Sequence, residues 1–316
     1  MRARLIINPV AGTDQGSEVL PDVNVQLRER FDAMDIVMTT GVGDAVKAAE
    51  DAARSGYEVL IAAGGDGTLN EVLNGAAQVP GALDAIQFGL IPLGTGNDFS
   101  HALGLSEDVD ETLRLLKTAQ ETRLDLCHAN DDQFVNVSAG GFVAEVSESV
   151  DPSLKSLAGK FAYILGGAQV LMDYEPVQTR CRFEADGSVQ QLDLPLQMFA
   201  ACNSRYIGGG RLIAPEALVD DGLLDVCLVE AMPTLEFIAV LAKISGGTHT
   251  DDPRVRYFKT PWLELNFSRP TKINTDGEVR ETSTCRYSVE PRRLRFLAAA
   301  TPFSVNARTE LNAPLR

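Results

Sequence analysis

The sequence predicts an α/β N-terminal domain with a Rossmann-like parallel sheet, followed by a second domain that is a mostly antiparallel β-sandwich. Three observations support this prediction. The chain has 316 residues, more than the roughly 150 residues of a typical single domain. Strand and helix patterns alternate at first, and many short strand patterns follow from about residue 129. We place the domains at residues 1–129 and 130–316, and we leave open whether the last strand returns to the first domain.

The first part of the chain carries four short apolar runs, which are typical of buried parallel strands. They cover residues 5–7, 35–38, 58–63 and 88–91. Two segments among them, 19–31 and 44–54, have apolar residues at helical spacing. Alternation of strands and helices predicts a parallel sheet with helices on its faces.

The second part carries short strand patterns separated by Asp, Asn, Gly and Pro, which predict an antiparallel β-domain. The predicted strands cover residues 134–138, 177–183, 197–201, 224–229, 255–258, 262–267, 271–274 and 294–298. Two helices are predicted at residues 154–172 and 235–244. We interpret the apolar stretch 157–172 as a core helix, with contact to a lipid surface as the alternative.

The composition narrows the range of functions. With 28 Lys and Arg against 44 Asp and Glu, the net charge is −16, which repels a phosphate backbone and argues against a nucleic-acid partner. The five cysteines stand singly, so neither a zinc site nor a disulfide framework is expected. The N-terminus reads as a strand rather than a signal peptide, and no apolar run is long enough to span a membrane. We therefore expect a cytoplasmic protein.

A glycine turn follows the predicted strand at residues 58–63. From Gly64 to Glu71 it reads Gly-Gly-Asp-Gly-Thr-Leu-Asn-Glu. Glycines let the backbone approach a phosphate, and the N–H groups at a helix N-terminus bind anions. A carboxylate at Asp66 suits such a site if a metal ion lies between it and a nucleotide. The alternative is an ordinary strand–helix turn capped by Asp66 or Thr68, but the length of the pattern favours a binding site.

A second glycine turn follows the next predicted strand. From Gly94 it reads Gly-Thr-Gly-Asn-Asp, in which Thr95 offers a hydroxyl and Asn97 or Asp98 is suited to cap the helix that follows. Turns at the carboxyl ends of neighbouring parallel strands face one crevice, where open α/β sheets bind ligands. The segment 8–12 after the first strand is a weaker third candidate.

These motifs resemble those of the diacylglycerol-kinase catalytic domain family, and within it the soluble bacterial lipid kinases of the YegS and DgkB type. The resemblance covers nearly the whole chain, because further segments match in order. The matching segments are Asn8-Pro9, 64–71, 92–98, 135–142, 203–210, 214–225 and 274–278.

The resemblance implies that ATP binds between the two domains. The family's nucleotide contacts then fall on Gly65, Asp66, Gly67, Thr68, Leu69, Asn70, Glu71 and Thr95. A threonine four residues before a Gly-Asp-Ala turn also belongs to that site, and the ungapped match is Thr39, with Thr40 as the alternative.

The resemblance also implies Mg²⁺ in the second domain, held by main-chain oxygens and one carboxylate at Leu218, Asp221 and Leu223. Hard cations take such oxygens. Without the resemblance, the acidic turn at residues 220–222 reads as a plain hairpin turn. Whether this metal is structural or catalytic stays open.

Glu278 matches the family's proton acceptor. Phosphoryl transfer needs a group that takes the proton of the attacking hydroxyl, and a carboxylate can do so. The residues alone read as a hairpin turn with a solvated acid, and Asp276 is the alternative base.

The function so implied is transfer of the γ-phosphate of ATP to a hydroxyl of a diacylglycerol-like or phosphatidylglycerol-like lipid. Sphingoid-base and NAD kinases are the nearer alternatives, and a non-catalytic nucleotide sensor is the alternative of another class. Partners follow from this function: a lipid substrate and a transient contact with a membrane surface, which places the cytoplasmic protein at the periphery of the inner membrane. A homodimer is left open.

Overall fold

The computed structural model describes residues 1–12, 26–106, 108–149 and 174–298. The predicted helix at 154–172, with its apolar stretch, and most of the predicted helix at 19–31 lie outside these residues. The described residues form the predicted pair of domains, an α/β domain and an antiparallel β-domain, so the predicted fold class is confirmed.

The first domain contains a parallel sheet in the order β4–β3–β1–β2. Its elements are β1 (Arg2–Ile7), β2 (Ala33–Met38), α1 (Asp44–Arg54), β3 (Val59–Gly64), α2 (Asp66–Ala77), α3 (Ala82–Ala85), β4 (Gln87–Pro92), α4 (Asp98–Ala102) and α5 (Val109–Thr118). Strand side chains alternate between two buried faces. Thus Leu5 and Ile7 pack in one apolar cluster and Ile6 in the other. Burial on both faces explains the continuous apolar runs of β1, β3 and β4. Strand β2 lies at the edge of the sheet and is half-buried or exposed.

Helix α2 is held firmly because it packs closely on α1. The buried residues of α1 are Ala45, Ala49 and Ala52, a small-residue stripe that lets the two helices approach. At the contact, a Cβ on Gly75 of α2 would lie 2.2 Å from the carbonyl oxygen of Val46. The N-terminus of α2 is thereby fixed at the carboxyl edge of the sheet.

The second domain is built from antiparallel strands packed about two apolar clusters. Its elements are β5 (Gln120–Ala129), β6 (Asp132–Phe134), β7 (Val137–Gly141), α6 (Phe142–Ser149), β8 (Val177–Ala185), β9 (Ser188–Cys202), β10 (Tyr206–Ile207), β11 (Arg211–Leu212), β12 (Leu224–Glu230), α7 (Thr234–Ile244), a 3₁₀ helix (Thr248–Asp251), β13 (Val255–Thr260), β14 (Trp262–Thr275) and β15 (Glu278–Ala298).

The long strand β15 joins the two domains. It pairs with β14 and β5 in antiparallel fashion, and near its end Arg295 and Phe296 pair in parallel with β4 of the first domain. The sequence predicted only the last five residues of this strand, 294–298. The residues before it are mostly polar and exposed or half-buried, so they lack the apolar run by which buried strands are recognised.

Two other predicted strands differ from the structure. Residues 134–138 divide into β6 and β7, because the N–H groups of Val135, Asn136 and Val137 bind the carboxylate of Asp276. The predicted strands at 262–267 and 271–274 are one strand, β14, with an irregular register between Asn266 and Thr271. Pro270 interrupts the strand pattern there without ending the strand.

Candidate active site

A cleft of about 850 Å³ lies between the two domains. The loops after β1, β2, β3 and β4 line it from the first domain, and β7, α6 and the β14–β15 turn line it from the second. It brings together eight of the residues predicted to act in catalysis or nucleotide binding: Thr39, Gly65, Asp66, Gly67, Thr68, Glu71, Thr95 and Glu278.

Glycines allow the loops of the first domain to meet. A Cβ on Gly94 would lie 2.6 Å from the Cα of Gly65, and one on Gly12 would lie 2.3 Å from the carbonyl oxygen of Leu93. Neither position has room for a side chain. The weaker candidate segment 8–12 therefore packs directly against the second glycine turn.

The N-terminus of α2 opens into this cleft. Gly65 is the N-cap residue, with extended backbone, and it has no side chain with which to cap the helix. A Cβ on Gly67 would meet no protein atom within 4 Å, so the turn leaves open space above the helix end. Helix N-termini of this kind attract phosphate through their N–H groups and dipole.

Asp66 does not cap its own helix, as the plain-turn alternative required. Its carboxylate accepts hydrogen bonds from the backbone N–H groups of Asp98 and Phe99, both at 2.9 Å. It therefore caps α4 from the neighbouring loop. Neither side chain predicted to cap α4 does so: Asn97 is the N-cap residue, but its side chain makes no capping bond.

Asp98 is a site residue that the sequence analysis treated only as a helix cap. Its carboxylate lines the cleft and accepts hydrogen bonds from the N–H groups of Gly209 (3.1 Å) and Gly210 (2.7 Å) in the second domain. Burial raises the pKa of Asp98, the two glycine N–H groups lower it, and the nearby Asp66 raises it. The run of three glycines at 208–210, all with positive φ, was the available signal for such a contact.

Glu71 shapes the loop that carries Thr39. Its two carboxylate oxygens accept from the N–H groups of Gly43 and Ala45, each at 3.2 Å, at the start of α1. The hydroxyl of Thr40 donates to Asp44 at 2.7 Å, so Thr40 already has a local partner. Thr39 is buried, and both Thr39 and Thr40 line the cleft.

Two of the predicted nucleotide-binding residues point their side chains away from the cleft. Leu69 is buried in the apolar cluster on one face of the sheet. The side-chain amide of Asn70 donates to the carbonyl oxygen of Gln133 at 3.2 Å. Their side chains support α2 from behind, and only their backbone groups belong to its first turns.

Asp276 is the anchor of the β14–β15 turn. It is buried, and its carboxylate accepts three backbone N–H groups, from Val135 (2.9 Å), Asn136 (3.2 Å) and Val137 (2.8 Å). Burial raises its pKa to about 6, although the three N–H groups lower it. Asp276 also lines the cleft, but its side chain is buried, which makes it less accessible to an acceptor hydroxyl than an exposed carboxylate.

Glu278, two residues later, is exposed where Asp276 is buried. It begins β15, is exposed and lines the cleft. The turn before it is tight, with positive φ at Asp276 and Gly277, and Asn274 accepts the N–H of Gly277 at 2.8 Å. The turn thus directs one carboxylate inward and presents the other to the cleft.

The residues predicted to hold Mg²⁺ in the second domain lie outside the cleft lining. One oxygen of Asp221 accepts from Lys259 Nζ at 2.9 Å and the other from the N–H of Leu223 at 3.1 Å. The described residues contain no group of three or more His, Cys, Asp or Glu side chains arranged to hold a metal. With an ammonium group on its carboxylate, the turn does not fit a magnesium ion.

Comparison with known proteins agrees with this architecture. The diacylglycerol kinase catalytic domain model matches residues 2–129, and the YegS C-terminal NAD kinase beta sandwich-like domain model matches residues 136–298. Diacylglycerol kinases of two Staphylococcus aureus strains, bovine RF122 / ET3-1 and MRSA252, are each 36% identical over 277 residues, covering 88% of this chain and 86% of theirs. The chain belongs to the diacylglycerol kinase family.

Solved structures of the family have the same fold. Two crystal structures from Bacillus anthracis strain Sterne, both ascribed to diacylglycerol kinases, superpose with TM-scores of 0.76 and 0.77 at 26% and 27% identity. They cover 94% of this chain, which spans 95% and 97% of theirs. The protein is therefore a kinase that transfers phosphate to a hydroxyl acceptor, with the lipid kinase activity of its family. No helix in the described ranges has the length and apolarity to cross a bilayer.

Proposed function

We propose that this kinase transfers the γ-phosphate of ATP to a hydroxyl of a diacylglycerol-like or phosphatidylglycerol-like lipid. One observation carries the proposal: a single cleft joins an anion-binding helix N-terminus to an exposed carboxylate of the other domain. A phosphoryl donor bound at Gly67 and an acceptor hydroxyl at Glu278 would meet in that cleft.

The first-domain wall suits a triphosphate. The N-terminus of α2 and the close-packed glycines Gly65 and Gly94 provide backbone N–H groups with no side chain in the way. Thr95 adds a hydroxyl at the same wall. ATP is the phosphoryl donor that such a site would take.

Asp66 and Asp98 fit a magnesium ion that accompanies ATP. Both carboxylates line the cleft, and a Cβ on Gly96 would lie 3.8 Å from Asp66 Oδ2 and 3.9 Å from Asp98 Oδ2, so the two acids face the same small space. Their partners given above are backbone N–H groups, which leave further lone pairs on the oxygens. Bound magnesium would neutralise charge on the phosphate oxygens.

Glu278 would take the proton of the attacking hydroxyl. It is exposed in the cleft, while Asp276 is committed to three backbone N–H groups. A base must reach within hydrogen-bond distance of the hydroxyl, and the exposure of its carboxylate supports Glu278 over the buried Asp276. Phosphoryl transfer otherwise depends on positioning and on charge neutralisation.

The second-domain wall suits a lipid acceptor. Val137, Ala139, Val143 and Ile207 line it and form or pack against an apolar cluster behind the wall. An apolar surface beside the base would hold the acyl-bearing part of the acceptor while its hydroxyl meets Glu278.

The test is a labelled-ATP assay with a panel of acceptors: diacylglycerol, phosphatidylglycerol, a sphingoid base and NAD. Diacylglycerol or phosphatidylglycerol should be phosphorylated in a magnesium-dependent reaction. Preferred phosphorylation of the sphingoid base or of NAD would contradict the proposed acceptor. ATP binding without turnover on any acceptor would contradict the proposed reaction.

A further inference from the structure

We infer that the ammonium group of Lys259 takes the place of a metal cation at the acidic turn of residues 220–222, so that this turn holds no magnesium. The turn precedes β12, and Lys259 lies on β13 beside it. This inference concerns a different part of the molecule from the cleft and does not depend on which acceptor is phosphorylated.

Three oxygens surround Lys259 Nζ. They belong to the carboxylate of Asp221 at 2.9 Å, the carboxylate of Asp225 at 3.0 Å and the main-chain carbonyl of Glu216 at 3.3 Å. The contact with Asp225 is an ion pair rather than an aligned hydrogen bond. A lysine ammonium has three N–H donors, so the group has as many oxygen neighbours as it has protons.

Asp225 explains why a positive charge is needed here. Its side chain has no exposed surface, and its other oxygen accepts from the hydroxyl of Tyr257. A buried carboxylate without a positive partner is costly. Lys259 Nζ, 3.0 Å from the carboxylate of Asp225, supplies that positive partner.

A magnesium ion would have to share the same oxygens. It binds carboxylate oxygens at about 2.1 Å, and Asp221 Oδ2 already lies 2.9 Å from an ammonium group. The two cations would repel each other within a few ångströms in a half-buried environment. Asp221 Oδ1 is occupied by the N–H of Leu223 at 3.1 Å.

The remaining acids of this region have partners of their own. Asp125 accepts from the N–H groups of Gly222 and Arg292, each at 2.7 Å, and Arg292 lies 3.7 Å from the carboxylate of Asp220. The turn is therefore closed by protein groups on each side. The magnesium proposed to accompany ATP would then bind at the cleft and not at this turn.

The experiment measures melting temperature without nucleotide, in magnesium and in chelator. Magnesium should change the melting temperature of Asp221→Asn by the same amount as that of the unmodified protein, because the turn holds no metal. Lys259→Met should melt lower than the unmodified protein and should gain stability from magnesium, because the vacated oxygens can then bind the ion. Lys259→Arg keeps the positive charge, so magnesium should not raise its melting temperature through this turn.

Two results would overturn the inference. One is a magnesium shift in the unmodified protein that Asp221→Asn abolishes, since the turn would then bind the metal beside Lys259. The other is a Lys259→Met protein that melts like the unmodified one. Asp66→Asn is the matched control, because it removes a carboxylate from the cleft and should leave the response of the acidic turn unchanged.

Discussion

The two walls of the cleft present different chemical groups: mainly backbone on the first domain and mainly side chains on the second. The first-domain wall consists mainly of backbone, from a helix N-terminus and from closely packed glycine turns. A Cβ on Gly94, for example, would lie 2.6 Å from the Cα of Gly65. The second-domain wall acts through side chains, with one carboxylate buried to hold the turn and another exposed to the cleft. Backbone groups of the first wall would bind the nucleotide, and the exposed carboxylate of the second wall would take part in the reaction. Substitutions on the two walls should therefore affect ATP affinity and kcat separately.

The largest expected effect is that of Asp66→Ala. The change removes a proposed magnesium ligand and the acceptor of two N–H groups at the start of α4. Because two functions are lost together, turnover should fall by more than about 10⁴-fold. Turnover is measured with one identified lipid, with Asp110→Ala on the surface of α5 as control. A folded Asp66→Ala enzyme with near-normal turnover would remove Asp66 from the mechanism.

Glu278→Gln tests the chemistry of the other wall. The amide keeps the size but cannot take a proton, so kcat should fall by about 10²–10⁴-fold. ATP affinity, measured by calorimetry, and melting temperature should hardly change, because the first-domain loops are untouched. Glu281→Gln, exposed on the same strand, is the matched control. If both variants keep their kcat, the proton leaves by another route.

Gly67→Val tests the backbone wall alone. A Cβ at this position meets no protein atom within 4 Å, so the variant should fold and melt normally. Its side chain would occupy the space above the helix N-terminus, and ATP affinity should fall by roughly tenfold or more. Gly94→Ala is the contrasting variant, because its Cβ would lie 2.6 Å from Gly65 Cα and should lower stability as well. Unchanged ATP affinity in Gly67→Val would contradict the phosphate site.

The smallest expected effect concerns the pH dependence of stability. The pKa of Asp276 is raised by burial to about 6 in the folded protein, from about 3.9 in an unfolded chain. The folded state therefore binds more protons between these values, and the unfolding free energy falls as pH rises through that window. Asp276→Asn lacks this titration. The advantage of the unmodified protein over the variant should shrink by about 2 kcal/mol between pH 4 and pH 7.

Urea unfolding of the two proteins at several pH values checks this difference. Parallel pH profiles for the unmodified protein and Asp276→Asn would show that the carboxyl group does not titrate differently on folding. Asp131→Asn, in the loop between β5 and β6, is a suitable control for the loss of one surface charge.

The same contrast explains what the sequence could predict. Most of the residues predicted to bind nucleotide line the first-domain wall of the cleft, because residues 64–71 and 94–98 are continuous motifs after apolar strands. The second wall depends on contacts between distant residues, such as the N–H of Val135 with Asp276, 141 positions apart. Sequence periodicity carries no information about such contacts. The sequence therefore left Asp276 as the alternative to Glu278, and the structure adds that Asp276 is buried and Glu278 exposed.

Two further differences have similar physical causes. The plain-turn alternative had Asp66 or Thr68 cap α2, but Asp66 caps α4 instead, and no local pattern describes a cap supplied by a neighbouring loop. Lys259 was not considered at all, because a single lysine in a strand is an ordinary surface residue. Its pairing with Asp221 depends on the register of β12 and β13, which only the folded chain reveals.

Strand β15 contacts both domains, which limits how far the domains can be produced separately. Its first residue is Glu278 in the cleft, and Phe296 near its other end pairs with β4 of the first domain. Cutting the gene after the first family domain would remove the pairing of β15 with one edge of β4, while β3 would still pair with the other edge. Unpaired strand edges promote aggregation. The isolated nucleotide domain would then be insoluble or misfolded. Complementation by a separately supplied peptide covering residues 278–298 would be the way to recover it.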